Sequence, residues 1–258
     1  MSSDPRLPAM MRLWQDTFGD SDAFVRLFFT RVYRPQNALT TCCDGRLVAM
    51  LHIVPYRLRV GRRTLPAAYI CGVSTRPEAR GRGLMTALMR RALRTMRRRG
   101  FALTTLIPAE PWLFDVYARL GYVHPIPTCD ERIATADLPL APPDVRIVPC
   151  TDARFYAAFD RLQRRRPCAI LHTARDFDTI RLDCESDGGR VLVALADGQP
   201  VGFLFEAPEE GGVVRVKELL AEDADAETAL LRAAAMRHDA TQLRIRRPPQ
   251  PGCPSQPY

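Results

Sequence analysis

The chain has almost no lysine. Of its 37 basic residues, Lys217 is the single lysine and all the others are arginine. Genome composition explains this skew more readily than function does. The formal charge of +8 at pH 7 could serve a nucleic acid, a membrane surface or an anionic ligand. We interpret most of it as a solvated surface that would also favour a polyanionic ligand.

Long apolar runs are missing as well. No stretch approaches the ~20 apolar residues of a membrane helix, and residues 1–8 lack the apolar core of a secretory signal. The sequence therefore predicts a cytoplasmic protein with no membrane partner. The eight cysteines contain no C-x-x-C pair, so we expect no zinc or other metal site.

The first half of the chain mixes helix and strand patterns. Periodicity and turn residues predict helices at residues 10–18, 22–33, 84–99 and 111–119. They predict strands at residues 38–43, 47–55, 56–60, 64–75, 103–107 and 121–127. Asp44-Gly45 marks a hairpin turn, and Gly100 a helix end.

A proline-rich stretch divides the chain. It predicts a linker at residues 136–146, between a first domain at 1–135 and a second at 147–246. In the second, Asp197-Gly198 joins strands at 191–196 and 201–207, followed by a strand at 213–221 and a helix at 227–237. This order of hairpin, strand and helix repeats that of the first half, which indicates a structural repeat. Residues 247–258 are rich in proline, and we expect them to be disordered.

The most informative segment covers residues 69–89. An apolar strand leads into a loop with two glycines, Gly81 and Gly83, which opens directly into a helix. Unpaired N–H groups and the helix dipole favour an anion there, and glycines let it approach closely. Arg80 and Arg82 add positive charge. The segment lacks the Gly-Lys-Ser/Thr of a Walker loop and the third glycine of a dinucleotide fold.

With its flanks, this segment resembles the acetyl-CoA motif of the GCN5-related N-acetyltransferase (GNAT) superfamily, Gln/Arg-x-x-Gly-x-Gly/Ala. Both glycines match, and Glu78 departs from the first position. The resemblance implies an α+β GNAT fold, with a central, mostly antiparallel sheet flanked by helices. It implies that backbone N–H groups hold the pyrophosphate of acetyl-CoA along one run: Gly81, Arg82, Gly83, Leu84 and Met85. It also implies that Val73 and Thr75 pair with the pantetheine arm, and that the Val73 N–H polarises the thioester carbonyl.

A second match follows at the expected separation. Asp-Val-Tyr-Ala-Arg-Leu-Gly-Tyr, residues 115–122, resembles the family's Phe-Tyr-x-Lys-x-Gly-Phe signature. The family's tyrosine maps to Tyr117, which the resemblance makes the acid that protonates the leaving thiolate. The alternative is a core tyrosine with a polar partner. Glu110, Asp115, His52 and a water chain all remain open as the general base.

An arginine run invites a nucleic-acid interpretation, but it lies on a predicted amphipathic helix. Leu84, Leu88, Ala92 and Met96 form an apolar stripe at helical spacing. We therefore predict a solvated arginine face and no nucleic-acid partner.

The second half lacks the glycine loop. Ala-Glu-Asp-Ala-Asp-Ala-Glu, residues 221–227, would repel a pyrophosphate. We predict a degenerate GNAT-like domain without cofactor, a layout loosely similar to tandem acetyltransferases of the enhanced-intracellular-survival type. Those enzymes carry a further C-terminal domain that we do not expect here, so their aminoglycoside specificity is not carried over.

The predicted function is transfer of an acetyl group from acetyl-CoA to a primary amine of a small molecule or peptide, by direct attack in a ternary complex. The main alternative is a non-catalytic acyl-CoA sensor or interaction module. The sequence leaves the oligomeric state open.

Overall fold

The structure is a computed structural model that describes residues 4–123 and 129–247. The chain divides into two compact units between residues 123 and 124. Within the described residues, no helix has the length and apolar character needed to cross a membrane.

The first unit begins with two helices, α1 (Leu7–Phe18) and α2 (Asp22–Leu27). The Ser21 hydroxyl caps α2 by accepting a hydrogen bond from the Phe24 N–H at 3.2 Å. The predicted helix at residues 22–33 changes character after α2, because Phe28–Val32 form a π-helical turn. Its marker is the hydrogen bond from the Tyr33 N–H to the Phe28 carbonyl, at 2.9 Å.

The sheet of the first unit has the order β1-β2-β3-β4. The strands β1 (Ala38–Cys43), β2 (Arg46–Val60) and β3 (Arg63–Thr75) are antiparallel neighbours. Helix α3 (Leu84–Arg98) then crosses over to β4 (Leu103–Thr105), which is parallel to β3. Helix α4 (Leu113–Ala118) follows.

Each face of this sheet has its own core. On one face, residues of β2 and β3 pack with α3 and α4 around a cluster that includes Leu51, Ile70 and Leu88. On the other face, Met50 packs with α1, α2 and the π-helical turn in a cluster that includes Leu13 and Trp14. The sheet therefore separates the α3 side of the unit from the α1 side.

The second unit is built around a six-stranded sheet in the order β5-β11-β10-β9-β8-β6. Its strands are β5 (Cys129–Ala134), β6 (Val145–Pro149), β8 (Arg190–Ala196), β9 (Gln199–Glu209), β10 (Val213–Ala221) and β11 (Gln242–Arg247). A short strand, β7 (Cys168–Leu171), lies between α5 (Tyr156–Gln163) and α6 (Ala174–Ser186). Helix α7 (Ala224–Arg237) crosses from β10 to the parallel β11.

The two units share one topology. In each, an antiparallel hairpin is followed by a third antiparallel strand, a helix and a strand parallel to the third: β1-β2-β3-α3-β4 in the first and β8-β9-β10-α7-β11 in the second. The predicted repeat of hairpin, strand and helix is therefore present. The prediction missed β5, β6, β7, β11, α5 and α6.

The division between the units differs from the predicted boundary at residue 135. Strand β5 pairs with β11 along its whole length, from Cys129↔Arg247 to Ala134↔Gln242, so it belongs to the second unit. The predicted linker, residues 136–146, is also folded. Leu138 is 7% exposed in the second core, and Arg232 donates hydrogen bonds to the carbonyls of Leu138 and Pro139.

Further predictions differ in their limits. The strands predicted at residues 47–55 and 56–60 are one strand, β2, since Pro55 pairs with Ala68 without interruption. The strand predicted at 103–107 ends at Thr105. The strand predicted at 121–127 lies partly outside the described residues, and residues 121–123 are not in a strand. The disordered tail predicted at residues 247–258 begins one residue too early, since Arg247 is the last residue of β11. The rest of that prediction, residues 248–258, lies outside the described residues.

Candidate functional site

Strand β3 has an edge that its neighbour covers only in part. On one side it pairs with β2 as far as Thr75. On the other side, β4 pairs with Ala67, Ala68 and Tyr69 alone. Within the described residues, the end of β3 that leads to the glycine loop thus has no strand partner on the β4 side. An extended ligand could add to this edge as a further strand.

A β-bulge interrupts β3 in this exposed part. The register passes from Met50↔Ser74 to His52↔Cys71, so β3 holds one more residue than β2. Gly72 supplies the left-handed conformation, with φ +60°. Cys71 packs on the α1 side, whereas Val73 packs on the α3 side. Because successive side chains alternate between faces, the extra residue is what places Val73 on the α3 side.

The backbone direction agrees with the roles predicted for Val73 and Thr75. The Arg76 N–H donates to the Val48 carbonyl of β2 at 2.9 Å. Amide groups alternate in direction along a strand, so those of Thr75 and Val73 point away from β2. The Arg80 Nε–H donates to the Thr75 carbonyl at 3.2 Å, which agrees with this direction. Both residues therefore present their backbone at the free edge.

The glycine loop connects this edge to α3. The Arg76 Nε–H holds the loop to β2 by donating to the Leu47 carbonyl at 2.9 Å, and Ala79 is buried beneath it. Gly81 and Gly83 have φ of +71° and +72°, and a Cβ on either would meet no atom within 4 Å. The space above both glycines is open to a ligand.

The N-terminus of α3 has no side-chain cap, and Gly83 occupies the N-cap position. The first N–H groups of a helix lack partners within it, which leaves those of Leu84 and Met85 available to an anion. The Arg80 and Arg82 side chains are exposed beside them. An uncapped helix end, two open glycines and two cations fit the pyrophosphate of an acyl-CoA.

Tyr117 lies on α4 and is 6% exposed. Its ring stands 5.8 Å from that of Tyr122 in an edge-to-face arrangement. Burial raises the pKa of Tyr117 to about 12, and the neighbouring Tyr122 adds to the effect. The Tyr122 hydroxyl lies 3.3 Å from that of Thr104, whereas the Tyr117 hydroxyl has no hydrogen bond within the described part of the chain. The described residues therefore leave the Tyr117 hydroxyl available to a ligand.

The structure brings four of the predicted site residues together. Val73, Leu84 and Met85 pack against the apolar cluster of which Tyr117 is a member. That cluster joins the bulge, the start of α3 and α4 on one side of the sheet. Arg80 and Arg82 stay outside it, on the exposed loop.

None of the open base candidates gains support from its surroundings. His52 lies on the α1 side, within rings that include Trp14, Phe28 and Phe29. Burial lowers its pKa to about 3, with a smaller effect of the Arg6 charge. Glu110 and Asp115 are exposed.

The arginine-rich helix is amphipathic, as predicted. Along α3, Leu88, Met89, Ala92 and Met96 are buried. The arginines are exposed at every turn: Arg90, Arg91, Arg94, Arg97, Arg98 and Arg99. The pattern is that of a surface helix with a solvated face.

The second unit differs at the position of the glycine loop. The side chain of Asp223 caps α7 and accepts a hydrogen bond from the Ala226 N–H at 2.8 Å. A carboxylate thus occupies the helix end that Gly83 leaves open in the first unit.

Two residues of the site were missed from the sequence, Gly72 and Trp14. A glycine inside a strand pattern is a known sign of a bulge or a close backbone approach, and Gly72 gave that signal. Trp14 contacts Gly72 from α1, and nothing in its local sequence indicates this contact.

The fold and the glycine loop define the class of the first unit, and comparison with known proteins agrees. Residues 3–124 match the family described as acetyltransferase (GNAT) domain. The first unit therefore contains a GNAT acetyltransferase domain.

Curated relatives are also described as N-acetyltransferases. The chain is 29% identical over 223 residues to the N-acetyltransferase Eis of Mycobacterium tuberculosis, covering 79% of this chain and 54% of that protein. It is 33% identical over 193 residues to an uncharacterized N-acetyltransferase of Streptomyces avermitilis, covering 67% of this chain and 46% of that protein. The chain thus spans about half the length of the curated relatives it matches.

Solved structures extend the likeness to both units. A protein of Enterococcus faecalis V583, described as a probable N-acyltransferase, superposes with a TM-score of 0.80 at 16% identity. The match covers 100% of this chain and 70% of that one. At this identity the likeness shows the fold, which is that of GNAT acetyltransferases, as predicted.

Proposed function

We propose that the chain transfers an acetyl group from acetyl-CoA to a primary amine of a small molecule or peptide. Three features that follow one another along the chain carry this proposal. A free strand edge with a bulge runs into a glycine loop that ends at the uncapped N-terminus of α3.

The loop suits the phosphates of acetyl-CoA. In this proposal the N–H groups from Gly81 to Met85 bind the pyrophosphate, and Arg80 and Arg82 add charge. Val73 and Thr75 pair with the pantetheine arm, because their amides point away from β2. The thioester then lies between the bulge and Tyr117.

The reaction follows from that placement. The amine nitrogen attacks the thioester carbon while both substrates are bound, and the Val73 N–H stabilises the developing oxyanion. The carbon–sulfur bond then breaks. The Tyr117 hydroxyl gives its proton to the leaving thiolate. The nitrogen, which the attack leaves positively charged, loses a proton that water carries to the tyrosinate, so the products are a neutral amide, a free thiol and the restored tyrosine.

The second unit has no cofactor in this proposal. Its helix α7 is capped by Asp223, and the following turn adds Asp225 and Glu227. These carboxylates repel a pyrophosphate at the position where the first unit attracts it. One active site per chain is the consequence.

The test is an amine panel read by thiol release and by the mass of the product. It should contain polyamines, amino acids, aminoglycosides and peptide N-termini. Initial rates at varied concentrations of both substrates should give intersecting reciprocal plots, as direct attack requires, rather than the parallel plots of a covalent intermediate.

A different result would favour another function. Tight binding of acetyl-CoA without thiol release for any amine would overturn the transfer proposal. The sensor or interaction module would then account better for the site.

A further inference from the structure

Trp14 lies directly beneath the bulge of β3. A Cβ built on Gly72 would stand 2.3 Å from the Trp14 Cζ3 and 3.0 Å from the His52 Cδ2. Real side chains do not approach so closely, so the indole fills the space that any residue other than glycine would need. We propose that Trp14 is a positioning residue, whose indole holds the bulge that aims the Val73 N–H at the thioester. This inference rests on the proposed function.

The indole is itself fixed in place. Its Nε1–H donates to the Asp20 Oδ2 at 2.7 Å. Its ring lies 4.4 Å from that of Phe28 and meets Phe29 edge-on at 5.8 Å. Trp14 is 5% exposed. Held by one hydrogen bond and by rings around it, the indole cannot swing away from Gly72 without unpacking the α1 side.

His52 completes the contact from the neighbouring strand. It pairs with Cys71 at the point where the register shifts, and its ring lies 5.7 Å from that of Trp14. Its buried Nε2 has no hydrogen-bond partner among the described residues, so the imidazole serves here as a packing group. Trp14 and His52 together pack against Gly72, the residue at the β-bulge.

The bulge decides which face Val73 occupies. Cys71 packs on the α1 side, and a Cβ on Gly72 would point to the same side. Val73 packs on the α3 side. Regular pairing would put Val73 on the α1 side and reverse its amide. Loosening the contact of Trp14 with Gly72 should therefore misdirect the Val73 N–H. This change should leave the glycine loop in place, because Arg76 anchors that loop separately to the Leu47 carbonyl.

The main test compares Trp14→Phe with Leu13→Val. Leu13 is the adjacent residue of α1, is 1% exposed and belongs to the same cluster, so both variants should lower Tm. Trp14→Phe should lower kcat by roughly 10–100-fold, since misplacement of a reacting group by about 1 Å has that effect. Its Kd for acetyl-CoA should stay within about threefold of wild type. Leu13→Val should keep kcat.

A second test does not need acetyl transfer. Hydrogen exchange of the amides in residues 71–75 should be roughly tenfold faster in Trp14→Phe than in Leu13→Val. Gly72→Ala should also lose turnover, because its Cβ meets the indole. The double variant Gly72→Ala/Trp14→Phe should recover part of that loss, because the smaller ring makes room.

The outcomes separate the two proposals. A wild-type protein that acetylates no amine refutes the proposed function, while hydrogen exchange still tests whether Trp14 holds the bulge. Equal exchange at residues 71–75 in the two α1 variants would overturn the inference. Full turnover in Trp14→Phe together with a lowered Tm would also overturn it, since Trp14 would then be a core residue only.

Discussion

Replacement of Tyr117 by phenylalanine separates chemistry from binding. The hydroxyl of this buried residue makes no hydrogen bond within the described residues, so its removal breaks none there. Tyr117→Phe should fold normally, with a stability change within roughly 1 kcal/mol. The ring keeps its place against Tyr122.

The size of the effect follows from the pKa. A positioned acid contributes roughly 10²–10⁴-fold to a rate. Burial raises the pKa of Tyr117 to about 12, whereas a free thiol has a pKa of about 8.5. The phenol is therefore a weaker acid than the thiol it serves, and hydrogen bonding to the leaving sulfur accounts for much of its effect. We expect a loss of kcat near the lower limit, about 10²-fold.

The assay is thiol release on an acceptor found in the amine panel, measured across pH for three proteins. Tyr122→Phe is the matched control, because it deletes a hydroxyl from the adjoining ring and leaves the proposed acid. Tyr117→Phe should lose kcat with little change in Kd for acetyl-CoA, and Tyr122→Phe should stay near wild type. Wild-type turnover of Tyr117→Phe at every pH would refute the assignment.

Three other changes test separate parts of the account. His52 has a folded pKa of about 3, so only the unfolded chain takes up a proton below pH ~6.5. Stability should fall by roughly 2 kcal/mol between pH 6.5 and 5. His52→Phe should reduce that slope in denaturant titrations, and an unchanged slope would contradict the reasoning. Asp223→Ala should lower the stability of the second unit by about 1 kcal/mol through loss of the α7 cap, without changing acetyl-CoA stoichiometry in calorimetry. Two equivalents bound to the wild type would refute the single site. Arg80→Ala combined with Arg82→Ala should weaken acetyl-CoA binding by roughly tenfold at low salt and less at high salt, and an unaltered salt dependence would remove these arginines from the site.

The first unit could be predicted well because its turns use local signals. Asp44 and Gly45 both adopt positive φ, 49° and 73°, as an Asp-Gly hairpin turn requires. Gly100 has φ +77° after α3 and ends that helix as expected. In each case, one or two residues determine the backbone without help from distant parts of the chain.

The second unit was harder to predict because distant contacts decide its structure. Strand β5 is one of its strands only because β11 pairs with it across more than 100 residues. Leu138 lies in a proline-rich stretch, yet the core buries it. One local signal was missed: Thr173 and Asp176 form a capping box at the start of α6.

The residues of the candidate site were predicted through their motif, but the geometry that orients them was not. Strict alternation of side chains along β3 would assign Val73 to the α1 side, because it does not include the extra residue at the bulge. Only the register between β2 and β3 shows the shift. The contact of Trp14 with Gly72 joins residues that are 58 positions apart, and no local pattern encodes it.

Binding of acetyl-CoA at the glycine loop is the central claim, and calorimetry with two glycine variants tests it. Gly83 and Gly61 both have positive φ, +72° and +56°, and open space at the Cβ. Gly61 lies in the hairpin turn between β2 and β3. The length of β3, about 40 Å at 3.3 Å per residue, separates this turn from the end of β3 that leads to the glycine loop. The wild type and Gly61→Asp should bind one equivalent of acetyl-CoA, and a folded Gly83→Asp should bind none, because its carboxylate stands where the pyrophosphate would lie. Unchanged affinity in Gly83→Asp would contradict the account.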